Sequence, residues 1–216
     1  MRISLPFFCL IFKNQNNMLG LHNTYSGWRA TNPLMEMLSP LWRCQGYSWS
    51  SLDHNSDLFY DVRLAYSKEE GDFLFAHGAV TLDTFTLYCE TELVRLMDKN
   101  AKFRVLLERG DDEFTLNQFQ DLLERLDLMD YPNVEIIVKK GWKVLKPAGF
   151  QIVDLSYVPF HSDYSFCENV RSLLSEGITT IKRKAKERNR LITYDMVTDP
   201  EVIYFVDHAE LIEGIV

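Results

Sequence analysis

The sequence predicts an α/β fold, a largely parallel sheet of buried strands with helices packed outside it. Two observations lead there: apolar strand-like runs recur along the chain, and helical patterns fall between them. The chain has 216 residues, which suits one domain over 1–216. A barrel and an open doubly wound sheet both fit this alternation. A full (β/α)8 barrel takes about 250 residues, so a barrel here would be trimmed or irregular. The open sheet loses ground because no glycine-rich phosphate loop follows the first strand.

In chain order, "MRISLPFFCLIF" resembles a signal-peptide core but has no small-x-small cleavage site, and a first buried strand is the expectation. Secreted, periplasmic and cytoplasmic locations all stay open. "NMLGLH" reads as a strand ending at His22. "LFYDVRL" (Leu58 to Leu64), "FLFAHG" (Phe73 to Gly78), "KFRVLLE" (Lys102 to Glu108) and "NVEIIVKK" (Asn133 to Lys140) read as strands, as do "FQIVDLSYV" (Phe150 to Val158) and "RLITYDMV" (Arg190 to Val197). Thr81 to Lys99 carries apolar residues at roughly helical spacing. Thr115 to Leu126 sets Leu116, Phe119, Leu122, Leu123 and Leu126 on one helical face, with Thr115 as the expected N-cap. Ser165 to Lys186 reads as a broken helix with "KRKAKERNR" at its basic end, a solvated face rather than a nucleic-acid patch.

Composition narrows the function. Hydrophobic residues make up 46% and aromatics 13%, enough for a sizeable core. The net charge of −8 disfavours a groove for nucleic acid, yet a single arginine can serve a phosphorylated substrate. Cys9, Cys44, Cys89 and Cys167 have no CxxC or metal-type spacing, so neither a zinc site nor a dense disulfide framework is expected from them. No apolar run approaches the roughly 18 residues of a membrane span.

In a parallel α/β fold, chemistry gathers where strands end. His22, His77, Glu108 and Asp195 fall at such ends, and Asp61 and Arg63 share one face of their strand by alternation. Two histidines, an arginine and carboxylates on one rim suit phosphodiester cleavage. A base activates an oxygen nucleophile, an acid protonates the leaving oxygen, and a guanidinium fork steadies the extra negative charge. A carboxylate behind one histidine fixes its tautomer. Arg63 beside Asp61 would repel a divalent cation, so neither a metal nor a cofactor is expected. Structural roles remain open for each residue alone: strand-end packing for the histidines, ion pairs for Asp61 and Arg63, helix capping for Asp195.

"GLHNTYSG", "WRCQGYSWSSLDHNSDLFYDVRL" and "FLFAHGAVTLDTF" together resemble the catalytic X-domain of the phosphatidylinositol-specific phospholipase C family, in its compact, metal-independent, bacterial-like form. "RVLLERGDDE" and "RLITYDMVTDP" resemble its later strands, and the two histidines stand 77 − 22 = 55 residues apart. The likeness is strongest over residues 16–110. It implies a distorted (β/α)8 barrel that cleaves a phosphatidylinositol into diacylglycerol and a cyclic inositol phosphate.

By the same resemblance, His22 is the general base, His77 the general acid and Arg63 the phosphate clamp. Asp195 orients His22, Asp61 assists, and Asn23 and Glu108 contact substrate. Asn23 and Leu21 depart from the bacterial pattern, which leaves inositol specificity open. The implied partner is a phospholipid or a soluble phosphodiester, met at a membrane surface in transient contact, by a monomer. Trp28, Trp42 and Trp49 could line that rim, although core packing is expected for at least two of them. Two alternatives stand: a glycerophosphodiester phosphodiesterase, and a silent module that binds phospholipid headgroups. The first lacks its Arg-Gly after the first histidine, and the second gives no reason to retain His22, His77, Arg63 and Asp195 together.

Overall fold

The computed structural model describes residues 18–46, 58–82, 89–99, 101–109, 113–127, 136–139, 151–153, 166–195 and 203–211. The expected N-terminal strand, Trp49, His54 and His161 lie outside them.

Six strands run parallel: β1 (Met18–Leu21), β2 (Leu58–Ser67), β5 (Lys102–Arg109), β6 (Ile136–Lys139), β7 (Gln151–Val153) and β8 (Ile203–Val206). Their spatial order is β8-β1-β2-β5-β6-β7. Two further strands, β3 (Asp72–His77) and β4 (Val80–Thr81), run antiparallel and leave the sheet mixed. Among the described residues this mixed sheet is open, with no ladder joining β7 to β8.

The sequence reading placed "FLFAHG" in a parallel sheet, and the structure corrects this. Only four residues separate Ser67 from Asp72, and a parallel return needs a crossover of about a dozen or more. The chain therefore turns back on itself, with Gly71 at φ 68° and its N–H donating to the Ser67 carbonyl. β1 and β3 share one edge of the long β2: β1 takes Leu58 to Tyr60 and β3 takes Leu64 to Ser67. A two-residue turn follows β3, with Gly78 at φ 56° in the first central position that a II′ hairpin reserves for glycine. It fixes His77 at a corner.

Helices pack against the sheet. α1 (Pro33–Met37) and α2 (Ser39–Trp42) are short turns after β1, the first capped by Asn32, whose side chain accepts from the Leu34 and Met35 amides. α3 (Cys89–Asp98) buries Cys89, Leu93, Leu96 and Met97. α4 (Glu113–Asp127) buries all five apolar residues expected of it. Thr115 is not its N-cap but lies inside the first turn, because the helix begins at Glu113. The core formed under these helices includes Leu21, Tyr60, Val62, Leu64, Phe75, Phe103, Val105, Phe119 and Val206. At about 25 cal/mol per Å2 of apolar surface, each fully buried side chain of this size stabilises the fold by about 1.5–3 kcal/mol.

α5 (Phe166–Glu176) and α6 (Ile178–Asp195) are the broken helix expected from Ser165 onward. Gly177 makes the break at φ 85°, its N–H donating to the Ser172 carbonyl. The expected strand over "RLITYDMV" does not form as far as Asp195. No glycine or proline interrupts 178–195, and this Lys/Arg/Glu-rich segment, with Arg183 paired to Glu187 one turn on, continues as helix. The late strand is β8 instead. No helix among the described residues is long and apolar enough to cross a membrane.

Candidate active site

Alternation along four adjacent strands builds the site on the sheet face opposite the core. Leu21, Tyr60, Val62, Phe103, Val105 and Val206 point to the core. Their neighbours Gly20, His22, Asp61, Arg63, Arg104, Glu108, Phe205 and Asp207 therefore reach the other side. Gly20 matters here because a Cβ would lie 2.5 Å from the Phe205 ring. That ring crosses over β1, meets Phe59 edge to face and takes the Arg104 guanidinium 4.2 Å above its centroid.

His22 sits where β1 ends, 2% exposed. Its Nδ1 lies 2.7 Å from Asp207 Oδ1 and its Nε2 lies 2.8 Å from Arg63 Nη2. A guanidinium can only donate, so Nε2 offers its lone pair and Nδ1 carries the proton towards Asp207. Nε2 is thereby the accepting nitrogen, as in the tautomer a general base requires. Gln45 locks the backbone behind it. Its Nε2 donates to the carbonyls of His22 and Val206, and its Oε1 accepts from Ala209 N–H.

Arg63 is held on three sides. Nε donates to Asp61 Oδ2 at 3.0 Å, Nη1 to Glu108 Oε1 at 2.7 Å, and Nη2 to His22. Burial works against its charge, but Asp61 and Glu108 outweigh that and hold the guanidinium protonated. Asp61 is fully buried and also accepts from Arg104 Nε at 2.6 Å and from Asn23 N–H at 3.0 Å. Burial alone would raise its pKa, but Arg63 and Arg104 hold the carboxyl far below the usual range. Arg63 and Glu108 keep 13% and 19% side-chain exposure, against 3% for His22, so the group opens to solvent on their side.

His77 faces this group, its ring centroid 6.1 Å from that of His22 and nearly perpendicular to it. Nδ1 approaches the Trp42 carbonyl at 2.6 Å, so it carries a proton there and Nε2 is left to exchange one. Burial first, then the neighbouring His22 and Arg63, push its pKa down to about 4. Cys44 packs between the histidines, 3.9 Å from His77 Nδ1, with its thiol pushed up by burial and by Asp207.

Of the residues picked from sequence, His22, Asn23, Asp61, Arg63, His77 and Glu108 come together. Asn23 lies in the turn after β1 at φ 42°, 1% exposed, with its side-chain Nδ2 unpaired among the described residues. Asp195 does not end a strand but ends α6, and the carboxylate on His22 is Asp207. His208, unassigned from sequence, pairs with Glu210 and donates its amide to the Cys44 carbonyl. Trp42 is core, with Nε1 on the Met35 carbonyl, and Trp28 packs partly buried against that core. Arg104, Gln45 and Asp207 were not singled out, although each had a signal. Arg104 is four residues before Glu108 on one strand face, Gln45 stands in the quoted "RCQ", and Asp207 follows the apolar run "VIYFV".

No protein-family model matches the chain, and no curated protein matches it.

Proposed function

We propose that this chain cleaves phosphodiesters of the phosphatidylinositol type, with its sheet closing into a distorted, trimmed (β/α)8 barrel around the site. The observation that carries this reading is Arg63 bonded to His22 Nε2 while His77 stands 6.1 Å across from the same ring. A base, an acid and a phosphate-sized cation then share one space. The observed sequence motifs support the same class.

Substrate phosphate competes with His22 for the Arg63 fork, which suits a phosphate bidentately. As the guanidinium turns to the phosphate, His22 Nε2 regains its lone pair. It accepts the proton of a hydroxyl on the substrate's own headgroup, whose oxygen attacks phosphorus. Asp207 steadies the resulting imidazolium through Nδ1–H. The phosphate's charge raises the pKa of His77, and its Nε2–H passes to the departing diacylglycerol oxygen. The bond formed is the P–O bond of the cyclic ester and the bond broken is the P–O bond to diacylglycerol; His22 ends with the hydroxyl proton, and the proton lost by His77 leaves on the diacylglycerol oxygen. Asp61, clamped by Arg104, holds Arg63 in register throughout. Asn23 Nδ2 is a donor available for a substrate oxygen.

The test is incubation with phosphatidylinositol and with glycerophosphoinositol, each with and without EDTA, following phosphorus products by 31P NMR. EDTA-resistant formation of a five-membered cyclic phosphate supports the reading. EDTA-sensitive release from the glycerol diester supports a glycerophosphodiesterase. Binding of headgroup without turnover supports a silent module.

A further inference from the structure

Three potential metal ligands of different kinds meet behind the proposed acid–base pair. His22, Cys44 and Asp207 each present one ligand atom, and the three atoms lie within 4.8 Å of one another. All three residues are buried, at 2%, 0% and 5% exposure, on three separate segments held rigidly together. His22 and Asp207 follow the paired strands β1 and β8. Cys44 is pinned by its own N–H on Ser26 Oγ at 3.0 Å and by its carbonyl accepting from His208 N–H.

We propose that this cluster is an inhibitory site for a thiophilic divalent cation of the zinc type. Zinc binds thiolate at about 2.3 Å, imidazole at about 2.0–2.1 Å and carboxylate at about 2.0–2.2 Å, so tetrahedral ligand atoms sit roughly 3.3–3.8 Å apart. To reach that, the widest pair closes by about 1 Å and the 2.7 Å pair of His22 Nδ1 and Asp207 Oδ1 opens by roughly half an ångström, both within the range of side-chain rotation. A sulfur, a nitrogen and an oxygen ligand form a borderline-soft set that selects zinc over calcium or magnesium. His77 Nδ1 stands 3.9 Å from Cys44 Sγ, beside the cluster.

Charge permits the ion despite Arg63. Asp61 and Glu108 both pair with that guanidinium, whereas Asp207 and a Cys44 thiolate would bring two negative charges to the cation. Binding forms three coordinate bonds, releases the Cys44 thiol proton to solvent and shifts the His22 Nδ1 proton to Nε2, which turns Arg63 away, with no change of oxidation state. It also takes Asp207 from His22 Nδ1 and occupies the imidazole. The base is then lost, so occupancy switches the site off. The binding is independent of the diesterase reading, and only the inhibition rests on it.

The experiment uses the full chain stripped with EDTA and then dialysed free of chelator. Zn2+ titration by calorimetry should give one equivalent, with proton release seen as a dependence of heat on buffer. Co2+ should give near-ultraviolet thiolate-to-cobalt absorption. Cys44→Ser should abolish that band and weaken Zn2+ by more than the roughly 10- to 100-fold typical of outer-shell losses. Cys44→Ala provides a second variant should serine disturb the packing, and circular dichroism checks both. Where turnover is present, Zn2+ should inhibit the wild type and spare Cys44→Ser, whose basal rate persists. No Zn2+ binding to folded wild type, or binding and a cobalt band unchanged in both Cys44 variants, overturns the proposal. Absence of turnover alongside Cys44-dependent binding would refute the diesterase reading and leave the metal site supported.

Discussion

Arg63 Nη2 lies 2.8 Å from His22 Nε2, on the side of the ring away from Asp207. The lone pair of His22 is thus covered by a guanidinium. On the proposed diesterase reading, base and phosphate clamp form one hydrogen-bonded unit, and a phosphate that takes Arg63 would uncover His22.

His22 should accordingly be the Nδ1–H tautomer in the resting protein. Long-range 1H–15N correlation spectra will read it directly, and inorganic phosphate should move the Nε2 resonance as the Arg63 bond is exchanged. An Nε2–H tautomer would contradict the arrangement.

Asp207 and Asp195 make a paired test. Asp207→Asn should lower turnover of phosphatidylinositol by about 10^4-fold, as loss of the orienting carboxylate does in an acid–base triad. Asp195→Asn should leave the rate within about twofold, because Asp195 ends a helix and the carboxylate bonded to His22 is Asp207. The opposite order would return the orienting role to Asp195.

His77 makes both rate and stability depend on pH. A pKa of about 4 leaves it neutral in the free protein at pH 7, so kcat/KM should rise as pH falls below neutrality. Stability runs the other way. The unfolded histidine titrates near 6.5 and the folded one near 4, so between those values the unfolded chain binds the extra proton and stability is lost as pH falls. The loss is a few kcal/mol at most. Urea unfolding of His77→Gln across this window should show a flatter pH dependence than wild type.

The buried pair of Arg104 and Asp61 should fail hard when one partner is removed. Arg104→Met leaves the Asp61 carboxylate with one guanidinium instead of two, and such losses cost about 3–5 kcal/mol. Chemical denaturation will measure it. The double variant Arg104→Met with Asp61→Asn should recover part of that loss, as expected when an uncompensated charge is the cause.

Residues whose function follows from strand alternation were legible in the sequence. The i, i+2 spacing of Asp61 and Arg63 and the strand ends at His22 and Glu108 needed only a period of two. The same rule applied four residues before Glu108 would have found Arg104. Asp195 misled because "LITYD" looks β-branched in isolation, whereas the uninterrupted charged helix before it decides its state. The antiparallel β3 was also within reach, since the four-residue link after Ser67 excludes a crossover. The meeting of Cys44 with His22 and Asp207 was not. It joins segments brought side by side by the β1–β8 pairing, the Gln45 bonds and the bonds of Cys44 to Ser26 and His208, which no local pattern encodes.

The division of labour between the two histidines is tested most directly by changing the leaving group. Turnover of phosphatidylinositol and of its p-nitrophenyl phosphodiester analogue would be compared in His22→Ala and His77→Ala. His77→Ala should lose about 10^2- to 10^4-fold on the lipid and recover most of it on the analogue, whose leaving group needs no proton. His22→Ala should be equally impaired on both. Equal loss on both substrates in His77→Ala, or wild-type rates in either variant, would contradict the account.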